Sequence, residues 1–226
     1  MAKLNENEKA AVSQEALQQS VSSKTDEFFK ENGKLLWGIV IAVAVIALAI
    51  LGYQKFIYQP KCAEAMQQTY PAEMNFQAGE YELALNGDGN VLGFAEIIKE
   101  YGNKAGNAVY MYAGVCEYQL GNFQDAIDYL GKYSGKEPIL AARAEACKGD
   151  AYVGLGNYEQ AIKCFEAAAA KADNIFAAAY IFKAGIAYEE LGNKAEALRC
   201  YKEIEDKYPQ SIEAYDIDKY ISRVEE

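Results

Sequence analysis

The sequence contains no histidine, four prolines and a single tryptophan in 226 residues, and it sets only 22 basic residues against 33 acidic ones. Without an imidazole there is no Ser-His-Asp or Cys-His nucleophile, no histidine-ligated zinc and no switch that titrates near neutrality. The net charge of −11 argues against a phosphate-binding surface, and so against nucleic acid as a partner. Cysteine is present but sparse: Cys62, Cys116, Cys147, Cys164 and Cys200 are five, an odd number, and none is spaced as CxxC. Metal and redox motifs are thereby excluded, one thiol at least stays unpaired within a monomer, and small buried hydrophobes are the default role. No nucleophile–base pair, phosphate-cradling glycine loop or paired-carboxylate setting stands out, so the expectation is a protein that is not an enzyme and uses no cofactor or metal.

What is there begins with a run of 19 uncharged residues, LLWGIVIAVAVIALAILGY from Leu35 to Tyr53. At about 1.5 Å per residue a helix of that length rises roughly 28 Å, close to the ~30 Å hydrocarbon thickness of a bilayer. Lys34 and Trp37 mark one edge, and Tyr53, Lys55 and Tyr58 the other, as amphipathic anchors at headgroup depth do. Ala47-Leu48-Ala49 imitates a signal-peptide cleavage site, but the polar leader before the run is too long and the apolar stretch continues to Ile57, which favours an uncleaved anchor. Lys24, Lys30 and Lys34 on the N-terminal side outnumber Lys55 and Lys61 on the other, so the expected orientation leaves the short tail inside and carries the body across. Gly38 and Ala42 form one small-xxx-small pair through which two spans can approach. In the tail, Val12, Leu17, Val21 and Phe28 are compatible with an amphipathic helix leading into the membrane.

The body repeats itself. YQLGNFQDAIDYL (118–130), VGLGNYEQAIKCF (153–165) and EELGNKAEALRCY (189–201) align without gaps, with Leu-Gly-Asn triplets starting at Leu120, Leu155 and Leu191. FQAGEYELAL (76–85) is a degenerate fourth copy with Gly79 at the equivalent place. Each Gly-Asn falls between two helical patterns, where a left-handed residue ends one helix and the chain turns back. Pro138 and Pro209 stand where a second helix ends or the next begins. Asn86, Asp88 and Asn90 alternate like calcium ligands, but Val91 and Ile97 occupy the places where an EF-hand needs Gly and Glu. An insertion that widens the turn and caps a helix at 94–101 is the better reading.

A helix, a glycine turn and a second helix at this period resemble the tetratricopeptide repeat (TPR). The small residues of that pattern appear as Gly114, Ala126 and Tyr133, as Gly149, Ala161 and Ala168, and as Gly185, Ala197 and Ile204. Its large ones appear as Tyr152 and Tyr188, then Leu130, Phe165 and Tyr201; Glu117 and Lys194 depart from it. The resemblance implies an all-α chain: an N-terminal transmembrane helix followed by a TPR α-solenoid with a C-terminal capping helix. The expected division is a polar tail over 1–33, the span over 34–58 and the repeat domain over 59–226. Within the domain the copies fall at 63–104, 107–140, 142–175 and 178–210, with the capping helix over 210–225.

In a solenoid the first helix of each pair lines the hollow side, and positions spaced 3, 4 and 3 share one face. That face reads Met66, Thr69, Glu73 and Phe76; Ala108, Met111, Val115 and Tyr118; Arg143, Ala146, Asp150 and Val153; and Ala179, Phe182, Ile186 and Glu189. The candidate partner-binding residues are Phe76, Met111, Val115, Tyr118, Arg143, Asp150, Phe182, Ile186 and Glu189, with Arg143 and Asp150 expected to pair. The Lys/Asn-rich clamps with which TPR modules hold a chaperone's C-terminal carboxylate are missing, so an apolar peptide or amphipathic helix suits the face better. Filling of the face by the terminal helix is the competing expectation.

Tail, span and acidic repeat body together resemble the single-span bacterial TPR proteins that are ancillary subunits of the Sec translocon, and the NGDGN insertion is similar to that of Bacteroidetes-type envelope proteins. The resemblance implies a protein of the bacterial inner membrane, N-terminus cytoplasmic and repeats periplasmic, associating with the translocon or periplasmic chaperones. The expected function is a membrane-tethered scaffold for protein or peptide partners; the alternative is a structural subunit of a secretion or cell-division assembly acting through self-association.

Overall fold

The computed structural model describes residues 6–172 and 174–225, with side chains from residue 30 onward. It comprises two units, Met1–Gln59 and Pro60–Glu226. In the first, α1 runs from Glu6 to Tyr53 and a π-helical turn follows over Gln54–Tyr58. Apart from the half-buried Leu36, the large apolar side chains from Leu35 to Tyr53 are 52–69% exposed, on every face of the helix. An 18-residue window here has a mean hydropathy of 2.8, so the helix is long and apolar enough to cross a membrane. The backbone of the tail from Glu6 on is helical, while the side chains of Val12, Leu17, Val21 and Phe28 lie outside the described residues.

The second unit is helical throughout, and the described residues contain no strand. Its helices are α2 (Gln59–Gln77), α3 (Tyr81–Asn86), α4 (Phe94–Tyr101), α5 (Ala108–Gln119) and α6 (Phe123–Lys132). They continue as α7 (Pro138–Gly154), α8 (Tyr158–Ala172), α9 (Ala177–Glu190), α10 (Lys194–Lys207) and α11 (Ile217–Glu225). Antiparallel pairs α5/α6, α7/α8 and α9/α10 are the three strong copies of the repeat.

Each pair turns in the same way. Gly121, Gly156 and Gly192 have φ of +82°, +71° and +72°, the left-handed conformation that other residues avoid. The amide of the following Asn then reaches back to the carbonyl five residues earlier: Asn122 to Glu117, Asn157 to Tyr152 and Asn193 to Tyr188, each at 2.9 Å. This closes the helix in a Schellman turn. The degenerate copy makes the same turn, with Gly79 at φ +81° and the Glu80 amide on the Asn75 carbonyl at 2.9 Å.

The side chains explain why the helices of a pair come so close. A Cβ on Gly114 would meet Leu130 at 2.6 Å, one on Gly149 would meet Phe165 at 2.6 Å, and one on Gly185 would meet Tyr201 at 2.5 Å. A hydrogen on the first helix thus makes room for a large residue on the second, and Phe165 and Tyr201 are among the most buried side chains present. Burying a side chain of that size stabilises the fold by about 1.5–3 kcal/mol. The departure at Glu117 is accommodated locally: its buried carboxylate accepts from Asn122 Nδ2 at 2.8 Å. The same asparagine position caps the second helix in the other two copies, where Asn157 and Asn193 accept from the amides of Gln160 and Glu196.

The helix α7 starts at Pro138, one of the two prolines expected at a helix boundary: Glu137 caps it by accepting from the Leu140 amide at 2.6 Å, and proline suits the first helical position. At the C-terminus the segment from 210 is not one helix: a 3₁₀ turn, Glu213–Asp216, precedes α11, and Ile212 and Tyr215 are both 90% exposed. Ser211, Ile217 and Val224 are the buried residues of that stretch, and the helix itself begins seven residues later than expected. The insertion at 87–93 is tight. Asp88 Oδ1 accepts from the amides of Asn90 and Val91, both at 2.8 Å, which holds its carboxyl below the usual range. The carboxylate serves the turn.

Candidate binding groove

The face shared by the first helices does not form one continuous trough. Between α5 and α7 lies a groove of about 400 Å³ that contains Phe76, Met111, Val115, Tyr118, Arg143 and Asp150 of the expected set. Between α7 and α9 lies a smaller depression of about 230 Å³ with Asp150, Phe182 and Ile186, floored by Phe165. Asp150 belongs to both.

The expected Arg143–Asp150 pair is absent. Asp150 is held instead by Lys183 of α9, whose Nζ donates to both carboxylate oxygens at 2.8 and 2.7 Å. Arg143 and Asp150 are two turns apart on one helix, beyond side-chain reach, whereas Lys183 comes from the neighbouring repeat. Lys183 also stands 5.8 Å from the Phe165 ring centroid, a cation–π contact that fixes it over the smaller depression. Arg143 is exposed and has no ion-pair partner among the described residues.

At the C-terminal end the chain fills its own face. Glu189, expected in the groove, lines neither depression; its carboxylate accepts from Arg223 at 2.6 Å and from the Tyr201 hydroxyl. Phe182 takes Tyr220 edge-on at 4.7 Å, and Tyr220 also lies 5.6 Å from Tyr201. Burial and the Glu189 hydrogen bond push the Tyr201 phenol well above its usual range, so it stays a donor. At the other end Phe76 joins Tyr81, Phe94 and Tyr112 in a ring cluster, with Tyr112 at 5.0 Å, so it closes the groove as much as it lines it. Thr69 is buried and donates to the Ala65 carbonyl at 2.8 Å, and Met66 is exposed away from the groove.

Several lining residues escaped the sequence reading. Leu140 is three residues before Arg143, and extending the same register would have found it. Cys147 and Lys183 lie one position beyond the chosen stripe, four residues after Arg143 and Ala179, so a slightly wider face would have included them, whereas Tyr133 enters from the end of α6 and belongs to no first-helix register. Burial, with Asp150 adding to it, pushes the Cys147 thiol up to about 12, so it lines the groove as a neutral thiol near pH 7. Among the described residues there is no cluster of three potential metal ligands.

Profiles of the tetratricopeptide repeat match residues 108–138 and 148–212. No curated protein matches the chain. Among solved structures, a crystal structure of MamA is similar with a TM-score of 0.53 at 20% identity, over 68% of this chain and 91% of that one. A second crystal structure of the MamA protein gives 0.52 at 20% identity, over 73% and 86%. Likeness at that identity carries the architecture and nothing about ligands. With the repeated glycine turns and the small-on-large helix crossings, it identifies the body of this chain as a tetratricopeptide-repeat α-solenoid.

Proposed function

We propose that this protein is a membrane-tethered scaffold that holds an apolar or helical segment of a partner protein in the groove between α5 and α7. The observation that carries the reading is that groove itself: about 400 Å³, lined by Met111, Val115, Tyr118 and Leu140, and left open where the chain's own terminal helix fills the opposite end of the face. Half-buried methionine and aromatic side chains adapt to varied apolar partners at low cost. The exposed apolar helix at 35–53 supports a tether, which raises the effective concentration of the groove near a bilayer. On this reading the tail is cytoplasmic, the repeats are periplasmic, and the partners belong to protein translocation or periplasmic chaperoning.

A photo-crosslinking residue at Val115 of the full anchored chain tests the groove. The expected adduct forms at Val115, not at the exposed Lys163 of α8, and is lost with Met111→Glu. Equal adducts at both positions, or none, would count against the scaffold. Sidedness follows from Gln124→Cys, an exposed position: labelling by an impermeant thiol reagent in intact spheroplasts places the repeats outside, and protection until lysis reverses the orientation. The alternative, an envelope subunit acting through self-association, draws on Gly38, beside which the structure leaves open space. Crosslinks between spans that survive Met111→Glu would favour it.

A further inference from the structure

Resting on the reading of residues 35–53 as a span, we propose that one edge of the solenoid lies against the lipid surface, through apolar side chains that the fold leaves outside its core. It is the edge where each second helix hands over to the first helix of the next pair. The connections there are 102–107, 133–137, 174–176 and 208–216. They are neighbours in space. Ser134 Oγ of the second donates to Asn107 Oδ1 of the first at 3.1 Å. Ala142 in the first turns of α7, Ala172 and Ala177 on either side of the third connection, and Tyr208 and Ala214 of the fourth pack in one apolar cluster.

Large apolar residues stand out from this edge at equivalent places. Ile139, Ile175 and Ile212 follow one another at 36 and 37 residues, close to the repeat period. Ile139, Ile175 and Phe176 are 44–56% exposed, and Ile212 and Tyr215 are 90% exposed. The helix starts do not depend on them, because polar neighbours do the capping. Glu137 accepts from the Leu140 amide, Asn174 Oδ1 from the Phe176 amide at 2.9 Å, and Ser211 Oγ from the Ala214 amide at 3.2 Å. The opposite edge, at the glycine turns, has one half-exposed leucine per strong copy: Leu120, Leu155 and Leu191.

Charge is sorted along the same direction. Counting α3 and α4 together, the second helices start at the glycine turns with Glu82, Asp125, Glu159 and Glu196, and end at the connections with Lys99, Lys132, Lys171 and Lys207. That order suits each helix's own dipole, and it also surrounds the exposed isoleucines with long cationic side chains of the kind that reach lipid phosphates over apolar stems. Acids within the connections are Glu137, which caps α7, Asp173, Glu213 and Asp216.

The chain itself brings lipid to this edge. Helix α2 enters the repeat domain here: Glu64, near its start, accepts from the Tyr101 hydroxyl at the end of α4 at 3.2 Å. Tyr53 closes the apolar run seven residues before Pro60, and seven residues reach at most about 25 Å even when fully extended. A first helix, about 18 Å long for the 12 residues of α5, separates the glycine turns from this edge. Aromatic and aliphatic side chains so close to a bilayer suit the headgroup–acyl boundary, where they sit ~5–10 Å deep.

The test uses tryptophan fluorescence of the full chain in phosphatidylcholine nanodiscs, plain or brominated near the top of the acyl chains. The single native tryptophan, Trp37 in the span, reports the tether and should be quenched by bromine. In a Trp37→Phe background, Phe176→Trp and Tyr215→Trp place the reporter on the proposed edge, and Leu155→Trp places it on the opposite one. The expected result is emission at least about twofold weaker in brominated discs for the first two, and unchanged for Leu155→Trp. Adding Ile175→Ser and Ile212→Ser should largely restore the Tyr215→Trp emission. If Phe176→Trp loses its helical signal or melting transition, Tyr215→Trp decides alone. Quenching of Trp37 without quenching at position 176 or 215 would overturn the proposal and leave the tether standing. Equal quenching of Leu155→Trp would overturn it as well, since no edge is then preferred. An unquenched Trp37 would overturn the tether and this inference together. Blue-shifted emission of Tyr215→Trp that bromine does not quench, and that is lost in discs holding one copy, would assign the edge to a second copy and overturn the lipid contact.

Discussion

Along one face of the solenoid, the stretch between α5 and α7 and the stretch beside α9 share a helical register but not a fate. Beside α9, Tyr220 and Arg223 of the terminal helix reach Phe182 and Glu189, and Tyr201 closes the contact from below. Between α5 and α7, Met111, Val115 and Tyr118 remain half-buried around an open groove. The difference is positional. A repeat inside the array has a neighbour on each side, whereas the last one must cover its exposed flank with something, and here the chain supplies its own helix.

The largest expected effect comes from removing that filling. Deleting residues 217–226 uncovers Phe182 and Tyr201 and forfeits the burial of Ile217 and Val224, each worth about 1.5–3 kcal/mol. Denaturant unfolding should show the loss, and dye binding to exposed apolar surface should rise. An unchanged midpoint would mean that α11 is not a cap.

Next comes Tyr201→Ala, which empties a fully buried site and removes the Glu189 hydrogen bond, for about 3–5 kcal/mol. Val115→Ala at the open end should cost only about 1 kcal/mol, since its side chain is half-buried. Comparable losses at the two sites would erase the distinction drawn here.

Alkaline pH should weaken the body without favouring either end. Burial, the first cause in each case, raises Cys116 and Cys147 to about 12 and Cys200 to about 11, from 9.0. Unfolded thiols ionise near pH 9 and release protons that the folded state keeps, so stability is whole below that pH and falls as pH climbs toward 11–12. Urea midpoints measured from pH 8.5 to 10.5 should decline, with a shallower slope in Cys116→Ala. Native-state alkylation should reach Cys147, half-buried in the groove, before Cys200 in the packed end.

Arg223→Ala should have the smallest effect. Its side chain is 48% exposed, and a pair of that kind contributes less than about 1 kcal/mol. A loss several times larger would show that the salt bridge, rather than ring packing, holds the cap in place.

The repeat architecture was legible because its signals are local. Gly121, Gly156 and Gly192 announce their turns through backbone sterics, and Gly114, Gly149 and Gly185 announce close crossings by lacking a side chain. The groove face followed from helical spacing, which brought together Phe76, Met111, Val115, Tyr118, Arg143 and Asp150. Spacing also suggested pairing Arg143 with Asp150, which fails because partners for an ion pair are chosen across helices, as Lys183 shows. Glu189 looked like groove and proved to be anchor for Arg223, a contact 34 residues away in sequence that no periodicity encodes.

The sequence by itself determined the helix pairs, their turns, the apolar run at 35–53 and the absence of any imidazole chemistry, since each depends on residue type and near neighbours. Only the tertiary structure decided which part of the shared face is open. That choice depends on where the terminal helix comes to rest: Tyr220 can occupy the place beside Phe182 only after the preceding repeats have stacked and built it.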